Sequence, residues 1–176
     1  MKKVSCGILL INNKKQLFLE EITPSPSNGW ARNKMDIPKG GKEDSDKSFL
    51  EAALRELKEE SNLQLLDEDI KEIIDLGLFK YNKQKDLYLF LFYDKNNKYL
   101  NDKYIFENCF CASTYIDKKN GKEYREVKNF FLFNLNEVFK QSEKIINGED
   151  KSKIFLNKSL ANLLKLIENK IYQCLK

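Results

Sequence analysis

A chain of 176 residues that is 41% hydrophobic, with twenty-one aromatic side chains, has the length of one domain and enough apolar surface for a sizeable core. Its formal charge of +4 is spread over many lysines and favours phosphorylated ligands only weakly. It contains no histidine, which excludes Ser-His-Asp and Cys-His nucleophile systems, His-ligated zinc and imidazole acid–base catalysis, so proton transfer or metal binding must lean on carboxylates.

Taken in order, the N-terminal "KVSCGILLI" (3 to 11) and "QLFLE" (16 to 20) are β-prone runs separated by the short polar turn "NNKK", the pattern of a hairpin or two neighbouring strands. The opening "MKKVSCGILLINNKK" lacks a small-residue cleavage site, and no apolar run approaches the ~20 residues of a membrane span, so a cytoplasmic protein with no membrane partner is expected. "TPSPSNGWARNK" collects Pro, Ser, Asn and Gly and reads as a loop. A glutamate-rich segment follows, predicted to be a helix within Ser48 to Ser61 with Ser45 or Asp46 capping its start. "EIIDLGLFKY" (72 to 81) and "DLYLFLFYD" (86 to 94) are two further strands, and 95 to 104 is loop-like. "IFENCFCAS" (105 to 113) and "EVKNFFLFNL" (126 to 135) are expected as strands separated by a "DKKNG" turn, with "NEVFKQSEKII" a short helix after them.

Residues 157 to 173 repeat Leu160, Leu163, Leu164, Ile167 and Ile171 at the spacing of an amphipathic helix. With no repeats and no linker, the whole of 1–176 is read as one domain. Its fold class is expected to be α/β, a mixed sheet covered on both faces. The four cysteines, Cys6, Cys109, Cys111 and Cys174, match neither a zinc knuckle nor a disulfide framework and are read as reduced residues, mostly core.

Function is most legible in the helix. Leu50, Ala53, Leu54 and Leu57 form its apolar stripe, while Glu56, Glu59 and Glu60 project from one side, within reach of a common point. Each like-charged pair costs a few tenths of a kcal/mol, and carboxylates in a last turn oppose the helix dipole by ~0.3–1 kcal/mol each. Two explanations stand. Either the face is a solvated acidic surface partly neutralised by Arg55 and Lys58, or a hard cation such as Mg²⁺ or Mn²⁺ sits among the carboxylates. The preceding "PKGGK" adds a fixed proline and two glycines whose exposed backbone could approach a phosphate or lend a carbonyl to a metal.

Together these residues resemble the box of the Nudix hydrolases, G-x5-E-x7-R-E-U-x-E-E-x-G-U. Started at Gly41, it puts Arg55, Glu56, Leu57, Glu59, Glu60 and Leu63 in register. Lys47 stands where the first glutamate is expected and Asn62 replaces the last glycine, a mild change in a left-handed turn. In the family that first glutamate helps hold the box arginine; here Glu43, Asp44 or Asp46 are the candidates to hold Arg55.

The resemblance implies a Nudix-like α/β/α sandwich and hydrolysis of a phosphoanhydride in a nucleoside diphosphate linked to a further group. Glu56, Glu59, Glu60 and the carbonyl of Gly40 would bind Mg²⁺ or Mn²⁺, Arg55 would orient a glutamate, and Glu56 would be the general base. A late carboxylate is expected at Glu126, with Glu123 in reserve.

"MDIPKGG" looks like the entry sequence of branches that act on dinucleoside polyphosphates, diphosphoinositol polyphosphates or capped and triphosphorylated RNA 5′ ends, with Met35 in place of the usual Trp. Lys39 could reach a phosphate. Trp30 could stack on a base or anchor its loop, and Lys80, Lys83 and Lys85 could add positive field or simply line a turn. The leading substrate classes are a dinucleoside polyphosphate and a 5′-phosphorylated or capped RNA end. ADP-ribose or another nucleotide sugar comes next, then a damaged nucleoside triphosphate. Lys47 and Asn62 also leave open a degenerate module that binds without turnover. Monomer and homodimer are both compatible with the sequence.

Overall fold

A computed structural model describes residues 3–24, 34–149 and 156–176. In chain order it contains β1 (Lys3–Asn12), β2 (Gln16–Ile22), β3 (Met35–Asp36), β4 (Lys39–Gly41), α1 (Phe49–Ser61), α2 (Asp67–Ile70), β5 (Ile74–Lys80) and β6 (Lys85–Asp94). Then follow α3 (Asp102–Asn108), β7 (Thr114–Ile116), β8 (Glu123–Arg125), β9 (Val127–Asn134), α4 (Leu135–Asn147) and α5 (Lys158–Cys174).

The apolar run of β1 makes it the centre of a mixed sheet of order β3-β2-β1-β6-β5. It pairs parallel to β6 along its length, from Lys3 opposite Lys85 to Asn12 opposite Asp94. A strand buried on both faces reads as a continuous hydrophobic run, as β1 does. Its other edge is shared: β2 pairs antiparallel with it near Ile11 and Leu17, while β4 pairs with Ser5, Cys6 and Gly7. Beyond that point β2 pairs with β9 on one side and β3 on the other.

Alternation along the strands divides the core in two. Leu9, Ile11, Leu17 and Leu19 face α4 and α5, whose Leu160, Leu163, Leu164, Ile167 and Ile171 are all buried, as the periodicity predicts. Cys6, Ile8, Leu10 and Phe18 face α1. The sheet is therefore covered on both faces, the expected α/β/α arrangement. Among the described residues, no helix is long and apolar enough to cross a membrane.

Residues 105 to 113 depart from the expected strand. Asn101 accepts a hydrogen bond from the Tyr104 amide and caps α3, whose Tyr104 and Ile105 pack on the second core; Cys109 to Ser113 then run without regular structure. A short apolar run fits either element, and here the cap decides for helix. The "DKKNG" turn does join two strands, but these are the short β7 and β8, which form a separate ribbon.

Candidate functional site

Helix α1 forms because Ala52, Ala53 and Leu57 are buried against β1. Burying a side chain such as Leu57 contributes roughly 1.5–3 kcal/mol, which outweighs the few tenths lost to each repelling glutamate pair. Its cap is Ser48, which accepts from the Glu51 amide, and neither Ser45 nor Asp46. Asp46 is otherwise engaged: it accepts from the Glu43 amide at 2.7 Å and holds Arg55. Asn62 ends the helix in the left-handed region, φ 58°, with its amide bonded to the Lys58 carbonyl. It thus adopts the turn for which the resemblance expects glycine.

Arg55 is the hub. Nε and Nη2 donate to the two Asp46 oxygens at 3.1 Å each, Nη2 also to the Gly41 carbonyl at 2.8 Å, and Nη1 to Glu56 at 2.8 Å and Glu59 at 3.1 Å. All five N–H donors of the guanidinium are engaged. Of the three acidic candidates, Asp46 supplies the two-point clamp; Glu43 lies at 3.9 Å, and no contact joins Asp44 to Arg55. The clamp, with the Glu43 amide, holds the Asp46 carboxyl below its usual range. Lys47 projects outward, and its amide donates to Glu51.

The three helix glutamates differ. Glu59 is half exposed and tied to Arg55. Glu56 is buried against β4 so closely that a Cβ on Gly40 would lie 2.1 Å from its carboxyl carbon. Burial raises its pKa, against the pull of Arg55. Glu60, only 6% exposed, accepts the Lys39 amide at 2.6 Å, and burial pushes its pKa up to about 8. Among the described residues no three such side chains are already gathered about one point, because Arg55 and Lys39 divide them.

Lys39 carries its ammonium 2.8 Å from buried Asp36, which also accepts from the Tyr81 hydroxyl and from Asn157 Nδ2. Its charge is thus committed inward. Lys80, Lys83 and Lys85 are exposed around the β5–β6 turn that places Tyr81 there. Glu126 accepts from the Ser113 hydroxyl at 3.3 Å, and its charge acts on Glu56, whereas Glu123 accepts from Thr114 on the β7–β8 ribbon. Trp30 lies outside the described residues.

Two features were missed by sequence reasoning. Glu20, on β2, is completely buried, and burial followed by the charge of Glu60 holds its pKa well above the usual carboxylate range. The other is a groove of about 310 Å³ next to the segment 109–113, which itself is tied to the end of α1 through amides donated to the Glu59 and Ser61 carbonyls. The groove is lined by Phe106, Phe110, Arg125, Lys128 and Phe131, with Phe106 90% exposed.

The sequence pattern of the NUDIX domain matches residues 1–152. The chain belongs to the Nudix family. By that membership its enzyme class is phosphoanhydride hydrolase. The 17.7 kDa protein of the e-segB intergenic region of Enterobacteria phage T4 is 39% identical over 132 residues, covering 75% of this chain and 82% of that one. This Nudix chain also resembles a Caenorhabditis elegans (C. elegans) Ap4A hydrolase, with a TM-score of 0.51, 17% identity, and 84% of this chain and 90% of that one covered. A bifunctional NMN adenylyltransferase/ADP ribose pyrophosphatase from Francisella tularensis, solved with AMP and a Mn ion, gives a TM-score of 0.58 at 16% identity. That match covers 99% of this chain but only 42% of the longer protein. At such identities the two structures speak for the fold.

Proposed function

We propose that this chain is a Mg²⁺- or Mn²⁺-dependent pyrophosphohydrolase of the cytoplasm, one domain over 1–176. It opens a phosphoanhydride in a nucleoside diphosphate linked to a second group, with a dinucleoside polyphosphate or a 5′-phosphorylated or capped RNA end as the leading substrate. The observation that carries the reading is the fully engaged Arg55, which fixes Glu56 and Glu59 beside the Gly-Gly turn although the usual partner position holds Lys47.

The donor set suits a hard divalent ion, being carboxylate and carbonyl oxygen with no imidazole or clustered thiolate. The Gly40 backbone against the Glu56 carboxylate forms a cradle that any side chain at position 40 would fill. Gly40, Glu56, Glu59 and Glu60 would hold such an ion. When bound, it would neutralise the diphosphate oxygens and lower the pKa of an attacking water. Arg55 orients Glu56 and Glu59; Glu56, with its raised pKa, is the assigned proton acceptor, and the charge of Glu126 bears on it. Lys39 anchors Glu60 through its backbone. The groove beside Glu126 offers aromatic faces and a guanidinium on which a nucleobase stacks.

ADP-ribose is the second reading, supported by the likeness to a protein named for ADP ribose pyrophosphatase activity. Incubating the protein with Mg²⁺ and a panel of dinucleoside polyphosphates, triphosphorylated RNA and ADP-ribose, then separating the products, tests both. Cleavage of a dinucleotide or RNA end that stops with chelator is the expected result. Preferential cleavage of ADP-ribose selects the second reading, and no turnover of any compound revives the binding module.

A further inference from the structure

Glu20 is the most anomalous side chain among the described residues. It is 0% exposed, and neither carboxylate oxygen has a hydrogen-bond partner. Protonation alone does not resolve this, because a neutral carboxylic acid still carries a donor and acceptors that need partners. Such a group is retained at a cost to the fold, so its surroundings indicate what it is for.

Those surroundings are charged. Strand alternation puts Glu20 on the same face of β2 as Phe18, the face that α1 covers. In register, Glu20 stands opposite Asp36 of β3. The ionisable groups that bear on it are Glu60, Lys39, Asp36 and the Cys111 thiol. Of these, Asp36 is satisfied by Lys39, Tyr81 and Asn157, and Glu60 by the Lys39 amide. Three carboxylates, Glu20, Asp36 and Glu60, thus have a single ammonium among them in a buried space. A divalent cation would supply the positive charge these carboxylates lack when ionised, and the partner that Glu20 lacks.

We propose that Glu20 is a further carboxylate of the cation site, binding a divalent ion from the sheet side together with Glu60. This rests on the Nudix reading above but adds a ligand from outside the box, contributed by a strand that the motif does not include. A methylene shorter or an uncharged amide at this position would weaken the ion while leaving the α1 glutamates in place.

The test is Mn²⁺ binding by the full chain, followed by titration calorimetry and by loss of the free-ion paramagnetic resonance signal, with circular dichroism as a check on folding. Glu20→Gln and Glu20→Asp are compared with the parent and with Glu60→Gln. The proposal expects both Glu20 variants to bind Mn²⁺ about tenfold or more weakly, or to lose one bound ion. It expects Glu20→Gln to be no less stable than the parent in chelator. Parent-like Mn²⁺ affinity and stoichiometry in either folded Glu20 variant, alongside weakened binding by Glu60→Gln, overturns the role of Glu20 and leaves the box intact. Unchanged binding in Glu60→Gln as well overturns both the proposal and the cation site on which it rests.

Discussion

Gly40 and the carboxylate of Glu56 exclude one another's growth: the Cβ of any larger residue at position 40 would stand 2.1 to 2.2 Å from all three carboxyl atoms. The neighbouring Gly41 has open space where its Cβ would be, so the two glycines of "PKGGK" answer to different demands. Gly40→Ala should displace the Glu56 carboxylate and lower kcat by on the order of 10²-fold, the cost of misplacing a catalytic group by about 1 Å. Gly41→Ala should change kcat less than about tenfold. Steady-state kinetics of both variants, with circular dichroism to confirm folding, separates them; equal losses would count against the cradle.

The Asp46–Arg55 clamp makes a paired prediction. Asp46→Asn takes the charge from the clamp and should lower metal affinity or kcat by about 10–100-fold, the usual effect of loosening a residue that orients ligands. Lys47→Glu should change activity less than about tenfold, since every Arg55 donor is already engaged. A gain of several hundredfold in Lys47→Glu would show that the natural chain is catalytically crippled.

The buried Glu60 gives a pH signature. Its folded pKa is pushed up to about 8, whereas an unfolded glutamate titrates near ~4.3. Between those values the folded state holds the proton that the unfolded state has released, so stability falls as pH rises and levels off above the folded pKa. In chelator, the parent Tm should therefore drop between pH 5 and about 8, and Glu60→Gln should drop less. Millimolar Mg²⁺ should raise the parent Tm most at the alkaline end, where the proton no longer competes, and raise that of Glu60→Gln much less. Thermal scans across pH with and without Mg²⁺ read both effects. Identical pH and metal responses in the two proteins would remove Glu60 from the site.

The aromatic groove is tested through substrate affinity. Phe110→Ala should raise KM by the equivalent of ~1–3 kcal/mol if a base stacks there, with Tm little changed because the ring is 51% exposed. Unchanged KM for a dinucleotide, together with a lowered Tm, would assign Phe110 to packing.

What the sequence made legible follows physical type. Helix α1 and its glutamates were readable because a 3.6-residue apolar period and a run of like charges are local patterns, and Asp46 was among the candidates for Arg55 because it lies within one loop of the helix. Helix α5 was readable for the same reason. Residues 105 to 113 misled because a short apolar stretch with aromatics has the composition of a strand, and the deciding Asn101 cap lies upstream of it. Glu20 was invisible: "FLEEI" gives no sign that one of two adjacent glutamates is sealed under a helix, since that depends on strand pairing far along the chain. Its neighbour Glu21 accepts from Asn129 at 2.6 Å and is ordinarily satisfied.

Asn157 donates to the Asp36 carboxylate, and its amide bonds to the Met35 carbonyl. The short strand β3 that leads into the box is therefore fastened from a residue just ahead of the last helix. During synthesis, the ribosome completes the whole motif by Leu63, yet this latch can close only after Asn157 has left the exit tunnel. A nascent chain stalled before that residue would carry every box side chain, with Asp36 held by Tyr81 and Lys39, and still lack the fastening that Asn157 adds to it.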